Sequence, residues 1–543
     1  MEKYDLWLEN TSDEDKAALK AMSEDEIRDS FYKELEFGTG GLRGIMGMGT
    51  NRMNVYTVRK ATQGLANEIL AGDADLAKKG VVIAYDSRNN SQKFAYEAAN
   101  VLSANGIKVY IFDSLRPTPE LSFSVRHLGC ARGIVITASH NPKEYNGYKV
   151  YGEDGGQIPP AVADEIIKYI NSIDIFHDVK TSGNPEYEVI GKEVDEAYIS
   201  AVLEQSMKVK IPENIRIVYT PLHGSGNKLV RAVLDRIGAK NVFVVPEQEL
   251  PDGNFPTVKS PNPENMEAFD IAIEYAQKQN ADLVFGTDPD SDRIGIAVKN
   301  HNGKYITLTG NQTGSLLCEF ILGKMHAEGS IENGDTVIKT IVTTELVRKI
   351  AENYGVKLCE VLTGFKFIGE KIKEFESTDD KFVFGLEESY GYLKGTYARD
   401  KDAVVAAMLI CEMAADYFAQ GISVYDGLQK LYEKYGYTKE ILKTVTLTGI
   451  EGAKKINEIM ENFRSNPPKE FAGEKVCGMK DYISGIDDMP KSNVLKFFFE
   501  NGWMAVRPSG TEPKIKFYVG INGDNADEVT DKFKEELDLI SYR

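Results

Sequence analysis

Cysteine is scarce: five residues, Cys130, Cys318, Cys359, Cys411 and Cys477, are spread over 543 positions. Their number is odd and no two have C-x-x-C spacing, which excludes a disulfide framework and a cysteine zinc site. Reduced, buried cysteines are expected. No apolar run approaches the ~20 residues that a bilayer-spanning helix needs. The opening MEKYDLWLENTSDEDK has no basic stretch leading into an apolar one, so no secretory signal is expected and the cytoplasm is the expected compartment. Positive charge is in deficit, with 64 Lys and Arg against 83 Asp and Glu, a formal charge of −19. With no basic cluster to offset it, that charge repels nucleic acid and anionic membrane at long range. A phosphorylated small molecule would need locally concentrated cations instead. Low-complexity tracts and disordered linkers are absent too.

What is present describes an ordinary globular chain, 42% hydrophobic and 27% charged, too long for one core, so three or four domains are expected. Ser12 and Ser23, the latter with Glu26 three residues on, have the form of helix caps, so the first 36 residues read as helical. From Phe37 short apolar runs alternate with amphipathic stretches: GVVIAYDSR, SQKFAYEAANVLSANG, IKVYIFDSL, RGIVITASH. The pattern recurs through NIRIVYTPLHGSG to ADLVFGTDPDSDR, and again through DTVIKTIVTT to KFVFGLEES. Near-continuous β-branched runs separated by helices indicate parallel strands buried on both faces. Each block ends in a polar loop, and in such sheets ligand loops lie at the carboxyl ends of strands. The last hundred residues read as a smaller α+β module beginning near Tyr435–Thr438.

The loops carry the chemistry. TASHNP sets Ser139 at a strand end beside His140, with Lys149 downstream in NGYKVY. The bland alternative is a turn whose Ser and Asn cap the backbone. A hydrolytic triad would want G-x-S-x-G, which is missing. In TDPDSDRIG, Asp288, Asp290 and Asp292 repeat at i, i+2, i+4; three carboxylates this close repel unless a cation sits among them, and all-oxygen ligation suits Mg²⁺. An EF-hand is excluded because its sixth and twelfth positions are Arg293 and Lys299. In GLEESYG, Glu387 and Ser389 can grip vicinal sugar hydroxyls, or Glu-Glu-Ser can open a helix. RPSGTEP presents Arg507, Ser509, Gly510 and Thr511 as an anion cradle, or as a plain turn. Arg43 in FGTGGLRG can project into a site that glycines let the backbone approach closely; the ending of a phosphate-binding P-loop is absent. Arg293, Lys366, Arg399 and Lys401 are further cationic candidates, and His223 in TPLHGSG is as readily structural as functional.

In this order and spacing, from GTGGLRG to RPSGTEPK, the motifs closely resemble the α-D-phosphohexomutase superfamily, which includes phosphoglucomutases and phosphomannomutases. The resemblance implies a heart-shaped molecule of three related α/β domains with mixed sheets plus a C-terminal α+β domain. Its expected units are residues 1–205 with the phosphoserine, 206–322 with the metal, 323–436 with the sugar loop and 437–543 with the distal phosphate loop. It also implies that Ser139 carries the phosphoryl group and that Asp288, Asp290 and Asp292 with a Ser139 phosphate oxygen hold Mg²⁺. By the same resemblance Arg43, Lys149 and His140 serve as acid, base and assistant. Substrate would be bound by Arg293, Lys366, Glu387, Ser389, Arg399, Lys401, Arg507, Ser509, Gly510 and Thr511. The implied activity interconverts glucose 1-phosphate and glucose 6-phosphate through glucose 1,6-bisphosphate. Tyr392 after Gly391, where dual-specificity phosphomannomutases tend to carry histidine, favours glucose. The GTGGLRG start and the N-terminal helices also resemble phosphopentomutases, which keeps pentose as an alternative, with phosphomannomutase beside it. A phosphatase using Asp288 as nucleophile is the alternative of another class; it leaves Ser139 and the Arg507 loop unexplained.

Overall fold

The computed structural model describes residues 2–38, 40–72, 75–447, 449–509 and 514–540. Three short helices come first, Glu2–Asn10, Asp13–Lys20 and Glu24–Phe31. Ser12 caps the second, and Ser23 with Glu26 closes a capping box on the third. They bury Trp7, Leu19 and Phe31 against Tyr56 and Phe176.

The next three units repeat one sheet plan. In the first, Arg132–Ile136, Val81–Tyr85, Val109–Phe112 and Glu188–Ile190 run parallel, Tyr145–Tyr151 lies antiparallel beside Arg132–Ile136, and Gly41–Ile45 pairs antiparallel with Tyr145–Tyr151 at the edge. In the second, Ile217–Thr220 lies parallel between Val242–Val244 and Leu283–Thr287, and Ile294–Lys299 turns back antiparallel. In the third, Asp335–Thr340 lies parallel between Lys357–Val361 and Lys381–Glu387, and Gly391–Lys394 turns back. The apolar runs read from sequence as parallel strands are parallel, and the returning strands make the sheets mixed, as the resemblance implies. The returning strand Tyr145–Tyr151 is buried at six of its seven positions, as fully as a parallel strand, so its burial does not mark its direction. In each of these three units the polar loop joins a parallel strand to the antiparallel strand beside it, so both ends of each loop are fixed in one sheet.

The fourth unit is a six-stranded antiparallel sheet with the helices Gly449–Ser465 and Ala526–Ile540 packed on one face. Among the described residues no single helix is long and apolar enough to cross a membrane. The most apolar one, Ala403–Ala419, is buried from Ala403 to Ala415 inside the protein. Cys130, Cys318 and Cys411 are buried as expected, but Cys477 is exposed on Glu474–Asp481, where alternate side chains face solvent.

Candidate active site

Ser139 sits just beyond the strand Arg132–Ile136 with φ 51°, the left-handed region that only glycine enters without strain. Two groups hold it there. Its N–H donates to Thr137 Oγ1 at 2.7 Å, and its carbonyl accepts from Arg88 Nη2 at 2.5 Å. The buried Arg88 guanidinium also donates to the carbonyls of Asn141, Pro142 and Tyr145, spanning the loop from end to end. Asp86 pairs with Arg88 Nε at 3.3 Å and accepts from Thr137 Oγ1, while the Phe255 ring covers the guanidinium at 5.1 Å. The returning strand must pass close to the loop: a Cβ on Gly147 would lie 2.5 Å from the Thr137 carbonyl oxygen. So fixed, Ser139 Oγ donates to Asp288 Oδ2 at 2.7 Å and lies 3.1 Å from His140 Nδ1. Burial, then the cations Arg293 and Arg43, push His140 well below the usual imidazole range, so it is neutral beside the serine.

Asp288, Asp290 and Asp292 follow the strand Leu283–Thr287, all buried, with one oxygen of each within 4.8 Å of the others. Ser291 takes φ 54° and lets the chain turn inside so short a loop. Asp288 Oδ1 accepts the backbone N–H groups of Asp292 and Arg293, both at 3.1 Å. Asp290 Oδ2 accepts from Lys149 Nζ and from Thr118 Oγ1, each at 2.9 Å. Asp292 Oδ2 is met by Lys401 at 3.0 Å and Lys149 at 3.6 Å. Asp290 Oδ1 and Asp292 Oδ1 are buried with no hydrogen-bond partner among the described residues. Such oxygens are costly unless a cation takes them, so this donor set fits a hard divalent metal ion. Burial and the neighbouring Asp290 and Asp292 carboxylates push Asp288 well above its usual range. Burial works against ionisation of Asp290 as well, yet Lys149 and the hydrogen bonds on it hold that group below its usual range. Behind the loop, Ser225 donates twice to the Pro289 carbonyl, at 2.8 Å from both N and Oγ. His223 contacts the Leu250 carbonyl and Thr257 Oγ1 in that same supporting layer, which makes it structural.

Above these groups opens a cleft of about 1030 Å³ walled by all four units. Arg43, His140 and Asn141 come from the first, and Ser260, Glu264 and Arg293 from the second. Glu387, Glu388 and Ser389 come from the third, and Arg507, Ser509, Lys514 and Lys516 from the fourth. Glu387 and Lys401 pass close over Gly391, where a Cβ would meet Lys401 Cδ at 2.4 Å and Glu387 Oε1 at 2.8 Å. Glu388 turns the other way, accepting from Thr340 Oγ1 at 3.0 Å, and burial with the adjacent Glu387 pushes it up to about 7.

Sequence profiles of phosphoglucomutase/phosphomannomutase alpha/beta/alpha domains I, II and III match residues 34–175, 196–303 and 309–435, and that of the C-terminal domain matches residues 445–539. The chain belongs to the phosphoglucomutase/phosphomannomutase family. A phosphoglucomutase from Staphylococcus aureus (strain bovine RF122 / ET3-1) is 39% identical over 545 residues, 97% of each chain. The fold is shared by a phosphoglucomutase/phosphomannomutase family protein from Burkholderia thailandensis (TM-score 0.68, 19% identical, 93% of this chain and 97% of that one). It is shared too by pp63/parafusin, a phosphoglucomutase from Paramecium in its open form (TM-score 0.70, 17% identical, 94% and 95%).

Within this family fold the residues singled out from sequence separate into groups. Ser139, His140, Lys149 and the three aspartates form one hydrogen-bonded cluster. Arg43 stands on the cleft wall with its Nη1 3.3 Å from Asn141 Oδ1. Arg293 pairs with Glu264. Lys401 lies on Asp292, among the carboxylates. Lys366 starts the helix Phe365–Phe375, its ammonium 4.9 Å from the Phe367 ring; burial, with Arg507 contributing, lowers its pKa. Arg399 is placed differently from the expectation: it does not line the cleft. Its backbone N–H donates to Ser122 Oγ and its guanidinium pairs with Glu376, so the side chain is buried between the first and third units. Gly510 and Thr511 lie outside the described residues. Arg88, Thr118, Ser260, which donates to the His140 carbonyl at 2.7 Å, and Glu264 were not singled out from sequence. Arg88 and Thr118 follow the apolar runs GVVIAY and IKVYIF, the same strand-end position that marked the other loops.

Proposed function

We propose that the protein interconverts glucose 1-phosphate and glucose 6-phosphate through a phosphoserine at Ser139 and a glucose 1,6-bisphosphate intermediate, acting in the cytoplasm. The observation that carries the mechanism is the Ser139 hydroxyl, bonded at 2.7 Å to a carboxylate of a buried aspartate triad on the floor of a four-walled cleft. Mg²⁺ is the metal proposed, held by Asp288, Asp290, Asp292 and an oxygen on Ser139; when bound it would neutralise charge developing on the transferring phosphoryl group. The chain's own groups account for the rest. In the first half reaction a sugar hydroxyl gives up its proton and attacks the phosphoserine phosphorus, the bond from phosphorus to Ser139 Oγ breaks, and Oγ takes a proton. In the second, Ser139 Oγ gives that proton up and attacks the other phosphate of the bisphosphate, the bond from that phosphorus to the sugar oxygen breaks, and the sugar oxygen takes a proton. Asp288 Oδ2 and the neutral His140 Nδ1 are both within hydrogen-bonding distance of it. Lys149 supplies counter-charge beside the triad, and Arg43 reaches the cleft from the facing wall.

Glu387 and Ser389 are proposed to grip the sugar hydroxyls, and Arg507 and Ser509, with Lys514 and Lys516, to hold the phosphate that is not reacting. One sugar then spans both anion sites, and the bisphosphate turns half over between transfers. Asp288 is a poor nucleophile here, since both its oxygens already accept hydrogen bonds, which disfavours the phosphatase alternative. The 39% identity to a phosphoglucomutase supports glucose over mannose or pentose. The test is kcat/KM on glucose 1-phosphate, mannose 1-phosphate and ribose 1-phosphate side by side. Glucose 1-phosphate is expected to lead; a preference for ribose or mannose phosphate would overturn the substrate assignment.

A further inference from the structure

Thr118 is fully buried at the start of the helix Thr118–His127 and belongs to the first unit, yet it reaches an aspartate 172 residues away in the second. It holds that aspartate twice. Its N–H donates to the Asp290 backbone carbonyl at 2.9 Å, and its Oγ1 donates to Asp290 Oδ2 at 2.9 Å. Lys149 occupies the same oxygen, also at 2.9 Å. One carboxylate oxygen is thus filled by two donors while the other, Oδ1, is buried with none among the described residues. A carboxylate pinned by its backbone and one oxygen has little freedom left to rotate, so its free oxygen keeps one orientation in a triad whose oxygens lie within 4.8 Å of one another. The hydroxyl does this without adding charge, whereas a second ammonium on Asp290 would compete with a metal ion for the same negative charge. Thr118 is itself held in place: two residues earlier the buried Arg116 is clamped by Asp195 at 2.7 and 3.2 Å and by Asp113 at 3.0 Å.

We propose that Thr118 is a positioning residue for the metal centre: it fixes the Asp290 carboxylate across the interface between the first and second units so that Oδ1 is presented to the ion. The role rests on reading the triad as a metal site. The test is Mn²⁺ binding to the full-length protein, followed by the electron paramagnetic resonance signal of free Mn²⁺, with the melting temperature measured alongside. Thr118→Val keeps the shape and removes the hydroxyl; its Mn²⁺ Kd is expected to rise about tenfold or more. Thr118→Ser, which restores the donor, is expected to bind as the wild type does. Should the valine variant not fold, Thr118→Ala, which adds no bulk, carries the same expectation. Wild-type affinity in a folded variant lacking the hydroxyl, or weak binding by a folded Thr118→Ser, would overturn the role of Thr118 alone. A wild-type protein that binds no Mn²⁺ would overturn the metal reading beneath it.

Discussion

The first three units and the fourth differ in how they are held together. One continuous apolar cluster runs through the first three sheets, joining Val82, Phe285, Val337 and Leu409. The fourth unit packs its own core around Phe497, Phe517 and Phe533. The seam between them is partly apolar, with Ile341, Leu362 and Trp503, and partly ionic. There Lys496 donates to the Ile341 carbonyl at 2.7 Å, beside buried Lys339 paired with Glu345 and Glu360. The groups proposed to make and break bonds lie at the strand ends of the first two units, which share that cluster, and the groups proposed to recognise a distant phosphate lie across the seam. Unpartnered carboxylate oxygens survive only where close packing forbids relaxation. A phosphate cradle needs donors and access to solvent, which the strand ends of a separate sheet supply.

Substitutions on the two sides of the seam should therefore fail differently. The largest effect is expected for Ser139→Ala, with turnover of glucose 1-phosphate falling about 10⁴-fold or more while the melting temperature stays near wild type. Substantial turnover in that variant would break the distinction at its root. Next, Arg507→Ala should raise KM by about 10- to 100-fold, the value of a lost charge-assisted contact, and change kcat much less. If kcat falls in the same proportion instead, the fourth unit takes part in the chemistry. Arg88→Lys keeps the charge but loses the planar fork that serves four carbonyls, so kcat should drop about tenfold with KM held within about twofold. Steady-state kinetics separates that outcome from a loss of binding. The smallest effect concerns Glu388, at the end of the cleft near the seam. Its pKa is raised to about 7 in the folded protein, so the folded state keeps a proton that the unfolded state has lost, and stability declines as pH rises from about 4.5 to 7. Glu388→Gln keeps the acceptor for Thr340 and should flatten that decline in melting curves taken from pH 5 to 8; an unchanged slope would place the titration elsewhere.

Sequence made the reacting groups legible because they come as dense local patterns: a serine at a strand end, three aspartates at alternate positions. What it hid is contact between distant segments. Arg88 reads as one arginine in DSRNNS until its guanidinium is seen to collect the carbonyls of residues 139 to 145. Arg399 and Lys401 stand two apart in YARDKD and look equivalent, yet one turns back toward Glu376 while the other reaches Asp292. The direction of the parallel strands was legible in their apolar runs, whereas that of the returning strand Tyr145–Tyr151 was not, since burial on both faces erases the alternation that marks such a strand.

The hairpin that carries Ser139 has a consequence for the order of assembly. Ser139, Arg88 and Lys149 all lie in the first unit and need only short-range pairings, whereas the bond from Ser139 to Asp288 closes across 149 residues. Contacts of low sequence separation form early, and a chain emerging from the ribosome completes its N-terminal units first. The half-site with the serine is thus finished while the aspartates are still unmade. On the proposed mechanism, every newly synthesised molecule begins as the free alcohol and receives its first phosphate only after the second unit has folded against the first.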